Sequence, residues 1–407
     1  MIDVKKAMSI IRTNMNPVKS EKVAILPSFG RILANDIKSK INIPPFNNSA
    51  MDGFAINSRN AKGASKSNPK IFEIIDDLPA GVVSKKKIKF NQAIRIMTGA
   101  PLPLGADSVV KVEETMEMDV QHVKILHQPK KGENVRYAGE DIKKKDTVLR
   151  KGKKIGPSDV GMFAALGLTR VCVYRKLVVG ILSTGDELVD PGKPLAIGKI
   201  RNSNGYSLYS AVLDCGSMPV NLGIVRDKRL KIRAKIKKAI SLNLDMLLIS
   251  GGVSVGDYDF VKDVLIELGA DIKFWCIKMR PGKPLLFAVL GKVLIFGMPG
   301  NPVSSLICFE EFVRPAIMWS CGVKNFRHCE VYAVSQETIK KKKDLCYFLR
   351  VKLETNNGKI LARLTGPQGS GILKSLVLAD GIAVIPENVT KIKKGDTIKV
   401  QLIRPIP

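Results

Sequence analysis

The sequence predicts a multidomain protein that combines α/β and β modules, and three observations carry this prediction. The chain has 407 residues, more than an ordinary domain of about 100 to 150 residues. Between residues 177 and 325, short β-rich runs alternate with helical ones, as in an open and largely parallel sheet. Residues 42 to 141 instead combine Gly and Pro with short alternating strands, and short strands return beyond Cys321.

These patterns divide the chain into four predicted domains. The helical segments KKAMSIIRTNM and PSDVGMFAALG flank the Gly- and Pro-rich region, so residues 1–41 and 142–176 are expected to form one split N-terminal domain. Residues 42–141 are then an inserted β module. A central three-layer α/β domain is expected over 177–325. A small C-terminal β-barrel is expected over 326–407, where NNG and KKGD mark turns.

Two helices of the central domain are predicted from their spacing. The segment KRLKIRAKIKKAI repeats isoleucine every fourth residue, at Ile232, Ile236 and Ile240, which predicts an amphipathic helix with a basic outer face. Another helix is expected from about Tyr258 to Leu268, and a long helix should begin at Pro302.

Composition excludes several classes of protein. No apolar run approaches the roughly 18 residues that span a bilayer, and the first residues lack the apolar centre of a secretory signal, so a cytoplasmic protein without a membrane partner is expected. The seven cysteines are scattered without a CxxC pair, which favours reduced thiols. The net charge is +29, but lysines are spread in short runs and aromatics are 6%, so nucleic-acid binding is not expected.

Three motifs of the predicted β module carry candidate site residues. The loop IPPFNNSAMDGFA presents Asp52, RIMTGAP places Thr98 after a strand, and GENVRYAGEDI contains Arg136 and Asp141. Ordered loops that present a carboxylate are typical of ligand sites, although Asp-Gly is also ordinary turn chemistry.

In the α/β domain, acidic and glycine-rich turns follow successive strands. Open parallel sheets bind ligands beyond the carboxyl ends of their strands, so these turns should surround one crevice. Backbone N–H groups of a Ser-Gly-Gly turn also suit a phosphate. The candidate residues are Glu187, Asp227, Ser250, Gly251, Gly252 and Asp259.

A basic turn follows in MRPGKPLLFA, where Arg280 and Lys283 flank Pro-Gly and can clamp an oxyanion. Asn301 and Pro302 are expected to cap the helix after it. Carboxylates that bind a hard cation, next to cations that bind its anion, indicate a metal-bridged phosphate. The sequence shows no Ser or Cys nucleophile paired with a histidine, and the three histidines lie outside every motif.

These motifs together resemble the molybdopterin molybdenumtransferase family, which includes the animal clustering protein gephyrin. The resemblance runs in the family's order through PPFNNSAMDGFA, RIMTGAPLP, ENVRYAGEDI, STGDELV, SGGVSVGDYDFV, RPGKPLLF, GMPGNPVS and PQGSGILKSLVLADG. It implies a central domain of the molybdopterin-binding type. It also implies a homodimer whose active site lies between the α/β domain of one subunit and the β module of the other.

The reaction implied is the cleavage of adenylylated molybdopterin with molybdate, giving molybdenum cofactor and AMP with Mg²⁺ as the cofactor. A transient contact with the upstream adenylyltransferase is implied as well. The implied catalytic residues are Asp52, Glu187, Asp227, Asp259 and Lys283. The implied substrate-binding residues are Thr98, Arg136, Asp141, Ser250, Gly251, Gly252, Arg280, Pro284, Asn301, Ser304, Arg350 and Ser370. The implied metal ligands are Asp52, Asp141, Glu187 and Asp227.

Two positions depart from the family pattern, because Asn91 and Lys145 stand where the family usually has glycine. Asn tolerates left-handed backbone, whereas Lys145 would cost about 1 kcal/mol there. Two alternatives remain open from the sequence. One is a molybdopterin adenylyltransferase-like enzyme, and the other is a non-catalytic scaffold of the same fold.

Overall fold

The structure is a computed structural model that describes residues 1–253 and 260–404. The chain forms two compact units. The first contains residues 1–34, 152–156 and 170–407, and the second contains residues 35–151 and 157–169. Each unit is described by itself below.

A six-stranded mixed sheet forms the centre of the first unit. Four neighbouring strands pair in parallel, and two further strands continue the sheet at one edge through antiparallel pairings. The predicted α/β fold is therefore confirmed, with a mixed sheet in which one of the six strands runs opposite to the others. In sheet order the strands are Met218–Val225, Val178–Thr184, Met246–Ser250, Val293–Met298, Leu286–Leu290 and Asp271–Trp275.

Alternation along the strands places apolar residues on both faces of this sheet, because successive side chains of a strand point to opposite sides. Met246 and Leu248 belong to one buried cluster, whereas Leu247 and Ile249 belong to the other. Helices cover both faces, which gives the three predicted layers. The helices are Ser203–Asp214, Arg229–Ile240, Val261–Glu267, Pro302–Cys308 and Arg314–Ser320, the last two joined by the π-helical segment Phe309–Val313.

The basic helix Arg229–Ile240 buries Ile232, Ile236 and Ala239, as its spacing predicts, whereas Ile240 is only partly buried. The long helix predicted after Asn301 is interrupted by its π-helical turn. The helix expected from about Tyr258 is described from Val261 to Glu267, because residues 254–259 lie outside the described part of the chain.

The C-terminal part of the first unit is a closed five-stranded barrel, as predicted. The barrel closes because strand Cys346–Asn356 pairs both with Lys359–Leu364 and with Gly381–Ile385, the first and last strands of the remaining row of four. Asn357 and Gly358 both have positive φ in the tight turn that leaves this strand, as an Asn-Gly hairpin requires. The other barrel strands are Lys359–Leu364, Glu330–Ser335, Thr397–Leu402 and Gly381–Ile385, and Met279–Arg280 adds to the edge of Cys346–Asn356.

Smaller elements complete the first unit. Asp3 caps the N-terminal helix by accepting a 2.7 Å hydrogen bond from the Lys6 N–H. The remaining helices and turns are Val4–Thr13, Leu26–Ser28 and Lys374–Val377. The remaining strand pairs are Ser20–Ala24 with Arg170–Tyr174, Leu188–Val189 with Ile200–Arg201, and Ile339–Lys340 with Lys391–Ile392.

The second unit is a mostly antiparallel β structure around two apolar clusters. Its main sheet contains, in order, Ser108–Lys111, Gly53–Ile56, Gln92–Ile96, Lys70–Leu78, His122–Ile125 and Thr115–Glu117. The short pairs are Asn48–Ser49 with Val135–Arg136 and Ile37–Lys38 with Thr147–Leu149. Its helical elements are Ser58–Ala61, Val112–Glu114 and Pro157–Ala165.

Both departures from the family's glycines adopt left-handed backbone. The φ angle is 51° at Asn91 and 82° at Lys145. Asn91 fits this region, whereas Lys145 accepts strain of about 1 kcal/mol. The cysteines at all seven positions are free thiols. Within the described ranges, no helix has the length and apolar character needed to cross a bilayer.

Candidate active site

A cavity of about 850 Å³ opens in the first unit at the carboxyl ends of strands Val178–Thr184 and Met246–Ser250. Its position is the one that open parallel sheets use for ligands. Most of the α/β residues predicted for the site are brought together here. The predicted residues that line it are Glu187, Asp227, Ser250, Gly251, Gly252, Pro284, Asn301 and Ser304.

The acidic wall of this cavity, called the larger cavity below, contains Glu187 and Asp227. The backbone N–H of Asp186 donates to Asp227 Oδ2 at 3.3 Å, and this bond connects the turn that contains Glu187 to the turn that contains Asp227. A Cβ atom at Gly185 would lie 2.5 Å from the Glu187 carboxylate, so glycine makes room for this side chain. The described lining residues offer carboxylate, hydroxyl, amide and carbonyl oxygens but no imidazole or thiol, and such a donor set fits a hard cation such as Mg²⁺.

The Ser250-Gly251-Gly252 turn forms a second wall, and its glycines are needed for space as well as for conformation. Both glycines have positive φ, at 94° and 66°. A Cβ atom at Gly251 would lie 2.5 Å from the carbonyl oxygen of Thr184, and one at Gly252 would lie 2.9 Å from Thr184 Oγ1. The turn therefore packs directly against the end of the neighbouring strand.

Five polar residues of the larger cavity were not predicted from the sequence, namely Thr184, Arg201, Asn202, Ser203 and Asn204. Asn204 Nδ2 donates to Ser250 Oγ and to the Gly300 carbonyl, both at 2.8 Å, and so connects two turns of the cavity wall. Asn202 caps its helix through a 3.1 Å hydrogen bond from the Gly205 N–H. The available signal in the sequence is the segment NSNG, whose first asparagine is the N-cap of helix Ser203–Asp214.

The N-terminus of helix Pro302–Cys308 forms a third wall. Asn301 occupies the N-cap position, but the prediction that it caps the helix is wrong for its side chain, which makes no capping hydrogen bond. Ser304 is buried in the first turn. The Ser370 carbonyl accepts a 3.1 Å hydrogen bond from the Val303 N–H, which places Ser370 beside this helix start.

A smaller cavity of about 580 Å³ lies in the same unit and contains Arg280 and Arg350. Arg350 is fully buried, and it donates to Ser375 Oγ at 3.1 Å, to the Gly369 carbonyl at 3.1 Å and to the Phe348 carbonyl at 3.4 Å. Burial lowers the pKa of Arg350 to about 10. These partners are neutral, so the guanidinium favours an anion in the cavity.

Arg280 lies over the ring of Tyr347, with 5.6 Å between its guanidinium carbon and the ring centroid. Lys340, Lys341 and Lys342 also line the smaller cavity, and none of them was predicted. Lys283 is exposed and lines neither of the two cavities described here. The predicted oxyanion residues are thus divided, with Arg280 and Arg350 in the smaller cavity and Ser304 in the larger one.

In the second unit, Asp52 and Thr98 are directly bonded. The backbone N–H and the hydroxyl of Thr98 each donate to Asp52 Oδ1 at 2.7 Å. The backbone hydrogen bond from Thr98 is the main cause that lowers the pKa of Asp52, and the hydroxyl bond acts in the same direction. Both residues are exposed, so an ionised carboxylate is presented to solvent.

Arg136 and Asp141 lie on a second segment that is hydrogen-bonded to the Asp52 loop. Arg136 pairs in a short antiparallel ladder with Asn48, and the Asp141 N–H donates to the Ile43 carbonyl at 3.1 Å. Both side chains are exposed. The loop from Ile43 to Asp52 is thus bonded to each segment that contains another predicted site residue of this unit.

Asp259 lies outside the described residues, so its predicted role stays a prediction. The predicted metal ligands fall in both units, with Asp52 and Asp141 in the second and Glu187 and Asp227 in the first. Their joint role also stays a prediction.

Three family models match the chain. Residues 2–167 match the MoeA N-terminal region (domain I and II), residues 180–319 match a probable molybdopterin binding domain, and residues 332–403 match the MoeA C-terminal region (domain IV).

The chain is also similar to named proteins of other organisms and to a solved structure. A molybdopterin molybdenumtransferase of Bacillus subtilis is 37% identical over 95% of this chain and 90% of its own length. One of Haemophilus influenzae is 33% identical over 95% of this chain and 94% of its own. The crystal structure of the molybdopterin biosynthesis moeA protein from Pyrococcus horikoshii superimposes with a TM-score of 0.86 at 31% identity, covering 99% of this chain and 100% of that one.

Proposed function

Because this chain belongs to the MoeA family of molybdopterin molybdenumtransferases, we propose that it transfers molybdenum from molybdate to adenylylated molybdopterin and releases AMP. One observation carries the proposal for this chain's own residues. Glu187 and Asp227 line the same cavity as the Ser250-Gly251-Gly252 turn. The volume of about 850 Å³ lies within the roughly 300–1,000 Å³ range of ligand pockets.

The chemistry of a pyrophosphate explains why acids and N–H donors should share this cavity. Cleavage between two phosphates develops negative charge that donors and cations must neutralise. We assign Glu187 and Asp227 to a Mg²⁺ ion, together with Asp52 and Asp141 as the resemblance implies. When bound, this ion neutralises charge on phosphate oxygens. The Ser250-Gly251-Gly252 turn then orients the phosphate through its backbone, and Asp259 adds a further carboxylate.

Molybdate is the second substrate, and we assign its oxygens to the cationic residues Arg280, Lys283 and Arg350 with Ser304 and Ser370. The full burial of Arg350 among neutral partners supports this assignment, because a buried guanidinium favours an anionic partner. Arg280 lies in the same smaller cavity. Thr98 orients Asp52, and Arg136 adds a cation on the strand that pairs with the Asp52 loop.

The protein is further proposed to act as a homodimer, as the resemblance implies. In this proposal the Asp52 loop of one subunit completes the larger cavity of the other subunit. The four-domain division, a cytoplasmic location and transient contact with the upstream adenylyltransferase are proposals that rest on the same resemblance.

The direct test is incubation of purified protein with adenylylated molybdopterin, Mg²⁺ and molybdate while AMP release is followed. The proposal expects AMP release that requires both molybdate and the divalent cation. Parallel incubation with molybdopterin and ATP tests the adenylyltransferase alternative, because that enzyme would form the adenylylated pterin. Formation of adenylylated pterin without AMP release on the first substrate would overturn the proposal. A protein inactive in both assays would be a scaffold instead.

A further inference from the structure

Three side chains of the second unit converge, and none of them is a predicted site residue. They are Glu114, His127 and Glu133, and each offers one ligand atom within 4.8 Å of the other two. We propose that these residues bind one transition-metal dication of the Zn²⁺ class through one imidazole nitrogen and two carboxylate oxygens. The proposal is independent of the transferase reaction, since none of the three residues lines either cavity described above.

The backbone holds the three residues on adjoining turns. Glu114 ends the short helix Val112–Glu114, and its carbonyl accepts a 3.0 Å hydrogen bond from the Leu126 N–H, directly before His127. The Glu133 carbonyl accepts a 3.0 Å hydrogen bond from Val109, in the strand that precedes that helix. The cluster therefore sits on hydrogen-bonded backbone rather than on separate surface loops.

Most polar side-chain atoms of the three residues already have a hydrogen-bond or ion-pair partner. His127 Nε2 lies 3.0 Å from Glu133 Oε1, and Glu133 Oε2 accepts a 2.8 Å hydrogen bond from the Lys130 N–H. Glu114 Oε1 lies 3.5 Å from Lys111 Nζ. Each of these atoms has a partner that offsets part of its charge or polarity.

Glu114 Oε2 is different, because it is shielded from solvent and has no hydrogen-bond partner within the described part of the chain. A carboxylate oxygen without a donor or water loses its solvation free energy without compensation. A cation held with His127 and Glu133 would restore that free energy. The side chains of Glu114, His127 and Glu133 are 29%, 42% and 29% exposed, so the cluster is open to an ion from solvent.

The donor set selects the class of metal. Imidazole nitrogen with carboxylate oxygens suits Zn²⁺ and its first-row neighbours, whereas Mg²⁺ prefers oxygen ligands. In a tetrahedral site, Zn²⁺ bonds of about 2.0–2.2 Å place the ligand atoms about 3.3–3.6 Å apart. The three ligand atoms lie within 4.8 Å of one another, so a pair at that limit would approach by roughly 1.2–1.5 Å when the ion binds. A water molecule can supply the fourth ligand of a tetrahedral site.

The same unit offers a matched control in His122 and Asp119. His122 Nδ1 lies 3.0 Å and 3.1 Å from the two Asp119 carboxylate oxygens, so this is also a histidine–carboxylate pair. Among the residues that the structure describes, this pair does not form a group of three metal-ligand side chains. His122→Gln thus removes a histidine without removing the proposed site.

The test is calorimetric titration of ZnCl₂ into full-length, tag-free, chelator-treated protein, with thermal unfolding measured in parallel. The expected result is one Zn²⁺ per chain and a midpoint that rises on Zn²⁺ addition. Glu114→Gln and His127→Gln should each weaken binding by about 10-fold or more. His122→Gln should bind as the parent protein does, and MgCl₂ should not compete.

Glu114→Gln keeps the side-chain shape, and its thermal midpoint in chelator shows whether the variant folds. Binding of Co²⁺ provides a second readout, since its visible spectrum distinguishes nitrogen and oxygen ligands from the thiolate of exposed Cys329. The proposal is overturned if Zn²⁺ does not bind, if folded Glu114→Gln and His127→Gln both retain parental affinity, or if Co²⁺ shows thiolate ligands.

Discussion

Thr98 donates two hydrogen bonds to a single oxygen of Asp52, one from its backbone N–H and one from its hydroxyl, both at 2.7 Å. This pairing orients the carboxylate and lowers the pKa of Asp52, chiefly through the backbone bond. Both bonds end on Oδ1, so Oδ2 lies outside this pairing. An exposed carboxylate that is oriented and ionised in this way is suited to bind a cation.

The first prediction concerns the proposed metal carboxylates. Asp52→Asn and Glu187→Gln should each retain the fold and reduce AMP release by about 100-fold or more, since each removes a charged ligand of the proposed Mg²⁺ ion, which neutralises the negative charge of the transition state. Steady-state AMP release and circular dichroism provide the measurements. Glu354→Gln, a change of an exposed barrel residue, should leave turnover unchanged. Near-wild-type turnover in both site variants would remove these carboxylates from the proposed site.

The second prediction concerns molybdate. The double variant Arg280→Ala and Lys283→Ala should raise the molybdate concentration for half-maximal AMP release by about 10-fold, because two charge-assisted contacts to the oxyanion are lost. The affinity for the adenylylated pterin should change less. Lys292→Ala, at an exposed turn of the same domain, is the control. An unchanged molybdate dependence would place the oxyanion elsewhere.

The third prediction concerns stability and pH. Burial raises the pKa of Glu311 from 4.5 to about 8, although a hydrogen bond with the Gln401 side chain acts in the opposite direction. Between these values the unfolded chain binds fewer protons than the folded chain, so the Glu311 contribution to stability falls as pH rises, and it is constant above pH 8.

Glu311→Gln removes this pH dependence. Relative to the parent protein, its free energy of unfolding should rise by on the order of a few kcal/mol between about pH 5 and pH 8. Urea denaturation at several pH values measures the difference, with Glu354→Gln as the control. Parallel stability curves for Glu311→Gln and the parent would show that Glu311 titrates as an exposed carboxyl does.

The fourth prediction concerns assembly. If the Asp52 loop of one subunit completes the cavity of its partner, a heterodimer of Asp52→Asn and Glu187→Gln subunits contains one intact site. Mixing the two nearly inactive homodimers should then recover up to about half of the parental activity per heterodimer. Native mass spectrometry confirms subunit exchange. Confirmed heterodimers as inactive as their parents would show that each site forms within one chain.

The residues of the larger cavity that follow parallel strands could be predicted from the sequence. Glu187 and Asp227 follow parallel strands, and the carboxyl ends of such strands share one edge, so their common cavity follows from the strand pattern. The left-handed backbone at Asn91 was also predictable, because local conformation depends mainly on the residue and its turn. The alternation of strands and helices was likewise sufficient to predict the three layers of the α/β domain.

Other features depend on tertiary packing that periodicity does not encode. Asn204 connects Ser250 to Gly300, which are far apart in the sequence, so its role emerges only when the turns meet. The three side chains Glu114, His127 and Glu133 have no motif spacing, because adjoining turns bring them together. The π-helical segment Phe309–Val313 interrupts a pattern that reads as one continuous helix.

The transferase function is tested most directly by the stoichiometry of one turnover. Purified protein in excess over adenylylated molybdopterin is mixed with Mg²⁺ and molybdate and quenched over time, and AMP and pterin-bound molybdenum are measured in each sample. The account predicts that both products appear together, one molybdenum per AMP, and that Glu187→Gln slows both equally. AMP release that proceeds equally without molybdate, or without molybdenum in the pterin product, would contradict it.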